Sequence, residues 1–264
     1  MGKLKLYTYS VSQASEKIRW SLDACGIPYR EIRLTPFVHA GELFQSMPML
    51  AADGEHLTDS TRILEWLEVH RAPFPLILRD PLVRAAVMEA EARFDQAGVH
   101  LLRWVYAGLL QNRSLALGLW TLDANIAQWL TLRVGFPLAR RFFQKGLGFD
   151  LRQMGRSRRI IDRTLAELDR LAETGRPYLV GDALTAADIT AAALLSPLAC
   201  PDEHPIYGSP GYRQAMQPTL QHWQDRPGLE WVRALYRRHR ESVPVARRPG
   251  AVSAALSPPM PAAA

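Results

Sequence analysis

Polar and apolar residues alternate over Leu4–Tyr9, the period of a half-buried strand. The spacing then changes to a helical one over Ser15–Cys25, with Ile18, Leu22 and Cys25 on one face. Gly26-Ile27-Pro28 ends that helix, and Tyr29–Leu34 reads as a second strand. Met47–Ala52 is a short apolar strand, Asp53-Gly54 a strong hairpin turn, and Glu55–Thr58 its returning partner. Ser60 opens another helix with Ile63, Leu64 and Leu67 on one side. The order β-α-β-loop-β-β-α makes a small α/β unit.

From Leu82 to about Glu241 the pattern is helical throughout, interrupted by Pro- and Gly-rich loops such as Asp202–Pro210. The predicted division is an α/β domain over 1–72, a proline-rich join over 73–81 and an all-helical domain over 82–243. Residues 244–264, rich in Pro and Ala without periodicity, read as a disordered tail.

Composition narrows the function classes. The two cysteines, Cys25 and Cys200, exclude a disulfide framework and a four-cysteine zinc site. The seven histidines lack ligand spacing, and His39 and His56 read as surface residues, so no metal is expected. The formal charge of +6 is uneven. Residues 133–159 hold Arg133, Arg140, Arg141, Lys145, Arg152, Arg156, Arg158 and Arg159 against Asp150 alone, a net +7. Residues 237–248 carry five arginines against Glu241, and the remaining body is slightly acidic. No helix-turn-helix, zinc-finger or RNA-binding signature accompanies these patches, which argues against a nucleic-acid partner. The opening residues lack a signal-peptide core, and Gly98–Leu110 is too short to span a bilayer, so a cytoplasmic protein is expected.

Three features of the first domain bear on chemistry. Ser12-Gln13-Ala14-Ser15 lies between the first strand and the first helix. A hydroxyl there either caps the helix or joins its free N–H groups in holding an anion such as a thiolate. In Ser46-Met47-Pro48-Met49-Leu50, a proline at a strand start predicts either a trans edge position or a cis turn. The cis turn would expose the Met47 backbone to an extended ligand. Asp59-Ser60 opens the next helix, as a plain N-cap or as a receptor for a carboxylate and an ammonium.

LYTYSVSQASEKIRWSLDACGIPY, MPMLAADGEHLTDSTRILEWLE and YLVGDALTAADITAAALLSPL, in this order and spacing, resemble the soluble glutathione transferase superfamily. The resemblance implies a thioredoxin-like N-terminal domain followed by an all-α domain. It implies glutathione as co-substrate, a hydrophobic electrophile as the second substrate, and a homodimer. Pro48 takes the position of the family's cis-proline, with the Met47 backbone pairing the cysteinyl part of glutathione. Asp59 and Ser60 take the γ-glutamyl position, and Gln45 and His39 lie where the glycyl carboxylate is often reached. The serine-type, zeta-like pattern maps its activating hydroxyl onto Ser12, with Tyr9 as competitor and Tyr7 behind it. Gln13 and Ala14 depart from that class, so its ring-diacid isomerisation is not implied, nor, without cysteine in the run, is thiol exchange. In the helical domain the resemblance implies Trp104 and Tyr106 for the electrophile pocket. It implies a buried capping box at Thr185-Ala186-Ala187-Asp188, with Leu184 and Ile189 as its staple. A binding or scaffold protein that keeps the fold without turnover is the alternative reading.

The helical domain is longer than this fold needs, and the surplus falls near 112–149. There Trp120, Trp129, Phe136, Phe142, Phe143 and Phe149 interleave with the basic run. An extra packing helix, an extended pocket wall, or peripheral membrane contact through 133–159 each fits that composition.

Overall fold

The computed structural model describes residues 4–36, 47–71, 73–77 and 80–240. His39, Gln45, Ser46 and the expected tail over 244–264 lie outside the described residues. The first domain runs β1 (Leu4–Thr8), α1 (Gln13–Ala24), β2 (Tyr29–Arg33), β3 (Met49–Ala52), β4 (Glu55–Thr58) and α2 (Ser60–His70). Its sheet has the order β2-β1-β3-β4, with β1 and β2 parallel and the other two pairings antiparallel. This is the thioredoxin-like half, and the described residues beyond it are helical.

Two element starts in this domain differ from the sequence pattern, each for a local reason. α1 begins at Gln13 rather than Ser15, because the Ser12 hydroxyl accepts the Ser15 N–H at 3.1 Å and so caps the helix. Ser15 is therefore inside the first turn and fully buried. β3 begins at Met49, since Pro48 has no N–H for a ladder bond.

The second domain contains α3 (Pro81–Leu109), α4 (Arg113–Trp120), α5 (Ile126–Leu147) and α6 (Leu151–Glu173). It continues with α7 (Ala186–Ala199), α8 (Pro210–Leu220) and α9 (Pro227–His239). α7 is apolar all round, and every one of its residues is buried, as a central helix requires. Each fully buried Ile or Leu there, such as Ile189 or Leu195, stabilises the fold by about 1.5–3 kcal/mol. The expected capping box starts it: the Asp188 carboxylate accepts the Thr185 N–H at 2.8 Å and the Thr185 O–H at 2.7 Å. Its other oxygen accepts the Leu179 N–H at 2.7 Å, so the acid is fully engaged. Pro197 cannot donate to the Ala193 carbonyl, and the Ser196 hydroxyl takes that carbonyl at 2.8 Å.

α1 packs on α7 and joins the domains. A run of buried ion pairs extends from it. Arg19 bonds Glu16 and Glu31, each at 3.0 Å, while Arg240 bonds Glu16 at 2.9 Å and Asp23 at 2.6 Å. Trp20 packs beside this network against Tyr236, with ring centroids 4.5 Å apart.

Candidate functional site

Strand register gathers the three chemical features at one end of the sheet. Tyr7 of β1 pairs with Met49 of β3, and Met49 pairs with Thr58 of β4. The chain leaving β1 toward Ser12, the chain entering β3 through Met47-Pro48, and the chain leaving β4 into Asp59-Ser60 therefore share that end. Both α1 and α2 start there as well. Two helix N-termini, each a positive dipole end, thus face one region.

The Met47-Pro48 peptide is cis, Pro48 is buried, and Met47 is half-buried. Ser12 is half-buried. Its oxygen accepts from Ser15 N–H, which leaves its own proton available to donate. Capping and donation to an anion are compatible at this residue. Tyr9 lies just beyond β1, its hydroxyl buried and without a partner among the described residues. Burial raises its pKa, so the phenol stays protonated. Tyr7 lies within β1 itself.

Asp59 caps α2, its Oδ1 accepting the N–H groups of Thr61 at 2.9 Å and Arg62 at 3.1 Å. Its φ of 81° is in the left-handed region, where a non-glycine residue costs on the order of 1–3 kcal/mol. Ser60 is buried, and its oxygen accepts from Lys17 Nζ at 3.0 Å, again leaving the hydroxyl proton free. Lys17 is itself fully buried. Its ammonium also pairs with Glu91 and, at 3.2 Å, with Asp95 of α3.

The sequence did not signal how the β1–α1 turn is held. Ser10 donates to Asp123 at 2.5 Å, Tyr207 donates to the Val11 carbonyl at 2.7 Å, and Gln13 donates to the Leu194 carbonyl at 3.1 Å. All three partners come from the helical domain. Ser12 is fixed between residues clamped on either side. Asp123 sits in the α4–α5 turn, where burial raises its pKa while Ser10 and Arg33 partly offset that. Gln13, the residue that departs from the serine-type pattern, is spent on this clamp.

Trp104 and Tyr106 are two positions apart on α3, roughly 200° around the helix axis, and the structure separates them. Trp104 donates to the Thr219 carbonyl at 3.2 Å and packs on Trp223, so it belongs to the seam with α8. Tyr106 joins Trp120, Phe136 and Phe143, stacking on Phe143 at 4.9 Å. Its three partners lie on α4 and α5, the helix pair that flanks Asp123. Four of the six surplus aromatic residues, Trp120, Phe136, Phe143 and Phe149, therefore pack inward, while Trp129 and Phe142 are exposed.

Burial raises the thiol pKa of Cys25 and of Cys200 to about 11, so both stay protonated at neutral pH. His56 is exposed. Among the described residues, no group of three or more His, Cys, Asp or Glu side chains is placed to hold a metal ion.

Residues 6–74 match the family model of the glutathione S-transferase N-terminal domain. Among solved structures, the chain is similar to a glutathione S-transferase from Rhodospirillum rubrum at 26% identity and a TM-score of 0.53, covering 88% of this chain and 87% of that one. It is similar to one from Methylobacterium radiotolerans, in complex with glutathione sulfonate, at 22% identity and a TM-score of 0.58, covering 91% and 92%. A third, from Methylobacillus flagellatus with glutathione bound, has 21% identity and a TM-score of 0.55, covering 88% and 93%. No curated protein sequence matches the chain. Residues 6–74 thus match a glutathione S-transferase N-terminal domain, and the described chain shares the two-domain fold of these solved structures.

Proposed function

We propose that the protein is a glutathione transferase in which Ser12 activates the glutathione sulfur for attack on a hydrophobic electrophile. The observation that carries this reading is the convergence of Ser12, the Met47 backbone and Ser60 at the sheet end where α1 and α2 begin. Each group has free capacity of the right kind. Ser60 offers an N–H and an O–H to the γ-glutamyl carboxylate, and the second oxygen of Asp59 accepts from the ammonium. The Met47 backbone pairs with the cysteinyl unit, which brings the sulfur to Ser12. The Ser12 O–H donates to the thiolate, and the α1 dipole favours the same charge. The thiol proton leaves to solvent, the thiolate forms a C–S bond, and the leaving group departs with the electron pair of the broken bond.

Two solved neighbours carry glutathione or its sulfonate in their crystals, which supports glutathione as the co-substrate here. Tyr9 is the competing activator, and Ser12 is preferred to it because Ser12 is the N-cap of α1, beside the positive end of that helix dipole. The Tyr106 cluster forms the inner wall of the electrophile site. The protein acts in the cytoplasm as a homodimer. The Arg84–Glu68 pair, at 2.7 Å, ties α2 to α3 and leaves Val69 and Leu82 exposed at that junction as contact surface.

Retention on immobilised glutathione and conjugation of an aryl halide test the reading. A protein that is retained but never turns over an electrophile would leave the binding or scaffold role in its place.

A further inference from the structure

α5 turns a narrow stripe inward. Leu132 and Phe136 are buried, and Ala139 and Phe143 pack on the same core. The opposite stripe begins apolar and ends basic. Leu130 is 55% exposed, Val134 74% and Leu138 75%, at four-residue spacing, with Ile126 at the head of the row. Arg141 and Lys145 continue that stripe and are exposed, and exposed Arg133 stands at its edge. α5 contains four cations and not one Asp or Glu.

The helix runs on through Pro137, which has no N–H for the Arg133 carbonyl. Arg113 of α4 supplies the missing donor, at 3.0 Å. Its guanidinium lies 5.5 Å from the centre of the Phe136 ring. The outward row is therefore held as one continuous helical face.

A contiguous exposed apolar row marks a contact surface. Charge decides between occupants. A second copy meeting this face symmetrically would bring another α5 without a single Asp or Glu, and so no counter-charge for Arg133, Arg141 and Lys145. A nucleic acid would satisfy the cations through its phosphates but leave Leu130, Val134 and Leu138 in water. An anionic lipid surface satisfies both halves, since acyl chains receive the apolar row and headgroups the cations. No described helix is long and apolar enough to cross a membrane, so the contact is one of lying on the surface.

We propose that the outer face of α5 docks the protein reversibly on an anionic lipid surface. Leu130, Val134 and Leu138 enter the acyl boundary, while Arg141 and Lys145 extend along it to the headgroups. This contact is independent of the catalytic reading.

Sedimentation with vesicles of phosphatidylcholine alone, and of equimolar phosphatidylcholine and phosphatidylglycerol, tests it. The full chain is expected to bind the mixed vesicles only, at low salt. Each basic residue at such a surface is worth about fivefold, so Arg141→Gln with Lys145→Gln should weaken partitioning on the order of twentyfold. Val134→Asp with Leu138→Asp should abolish it with the remaining cations in place. These side chains are largely exposed, and an unchanged melting temperature verifies the fold. Absence of binding to the mixed vesicles at low salt overturns the proposal. So does binding indifferent to Val134→Asp with Leu138→Asp, which would reflect charge alone. Dissociation of an oligomer by the same pair, without vesicle binding, would assign the face to a second copy instead.

Discussion

Lys17 Nζ donates to Ser60 Oγ at 3.0 Å from a fully buried position, so the first helix of the sheet domain sets the hydroxyl that opens the second. The same ammonium pairs with Glu91 and Asp95 of the helical domain. One buried charge thus couples a proposed glutathione contact to the packing of two domains. Lys17→Met strips Glu91 of its counter-charge, and breaking such a pair costs about 3–5 kcal/mol. The expected result in urea denaturation is a loss of that order. The companion Lys17→Met, Glu91→Gln protein should regain stability yet keep a raised KM for glutathione, because Ser60 has lost its donor.

Ser12→Ala separates two roles of one hydroxyl. Loss of the cap should lower stability by about 1 kcal/mol. Loss of a donor to a developing or resident anion should lower kcat on the order of a hundredfold, with little change in glutathione affinity. Steady-state kinetics of Ser12→Ala beside Tyr9→Phe decides the assignment. An active Ser12→Ala with a dead Tyr9→Phe would transfer the role to the tyrosine.

Tyr207→Phe leaves the Val11 carbonyl without its donor, next to Ser12 in the chain. An unpaired buried carbonyl costs about 1–3 kcal/mol. The same change should reduce kcat more than it raises KM for glutathione, since the turn that aims Ser12 loosens while the α2 contacts stay. Equal activity in wild type and Tyr207→Phe would show that the clamp serves stability alone.

Acid should weaken the protein through Glu16. Burial alone would raise its pKa, but the guanidinium groups of Arg240 and Arg19, with His204, overcome this and hold it at about 2, against 4.5 ordinarily. A depressed folded-state pKa contributes stability that is complete above the ordinary value and lost as pH falls from about 4.5 toward 2. The amount is roughly 3 kcal/mol, and thermal melts between pH 7 and pH 2.5 read it out. Glu16→Gln should be less stable at pH 7, with two buried cations short of a partner. Its melting temperature should fall less steeply in acid than that of wild type.

The sheet domain was legible because its signals are local. Strand alternation, the Asp53-Gly54 hairpin and the α2 face depend on neighbours a few residues away, and the structure has them at these places. The Thr185–Asp188 box was legible for the same reason. Helix starts were less secure. Ser12 and Ser15 are both capping residues by type, and only the backbone geometry selects Ser12. Trp104 and Tyr106 were both candidates for the electrophile pocket, and helical rotation sends them to different neighbours, which only the packing of α3 reveals.

By itself the sequence determined the α/β unit followed by helices, the candidate hydroxyls, and the separation of the basic run from a mildly acidic body. These are properties of short windows, or of composition. Only the tertiary structure decided that Ser10, Val11 and Gln13 are clamped by Asp123, Tyr207 and Leu194, since those bonds span more than a hundred residues. It likewise decided which aromatic residues of the surplus pack inward and which stripe of α5 faces water. A helix repeat places residues around an axis, but the direction of that axis is set by the neighbours it packs against.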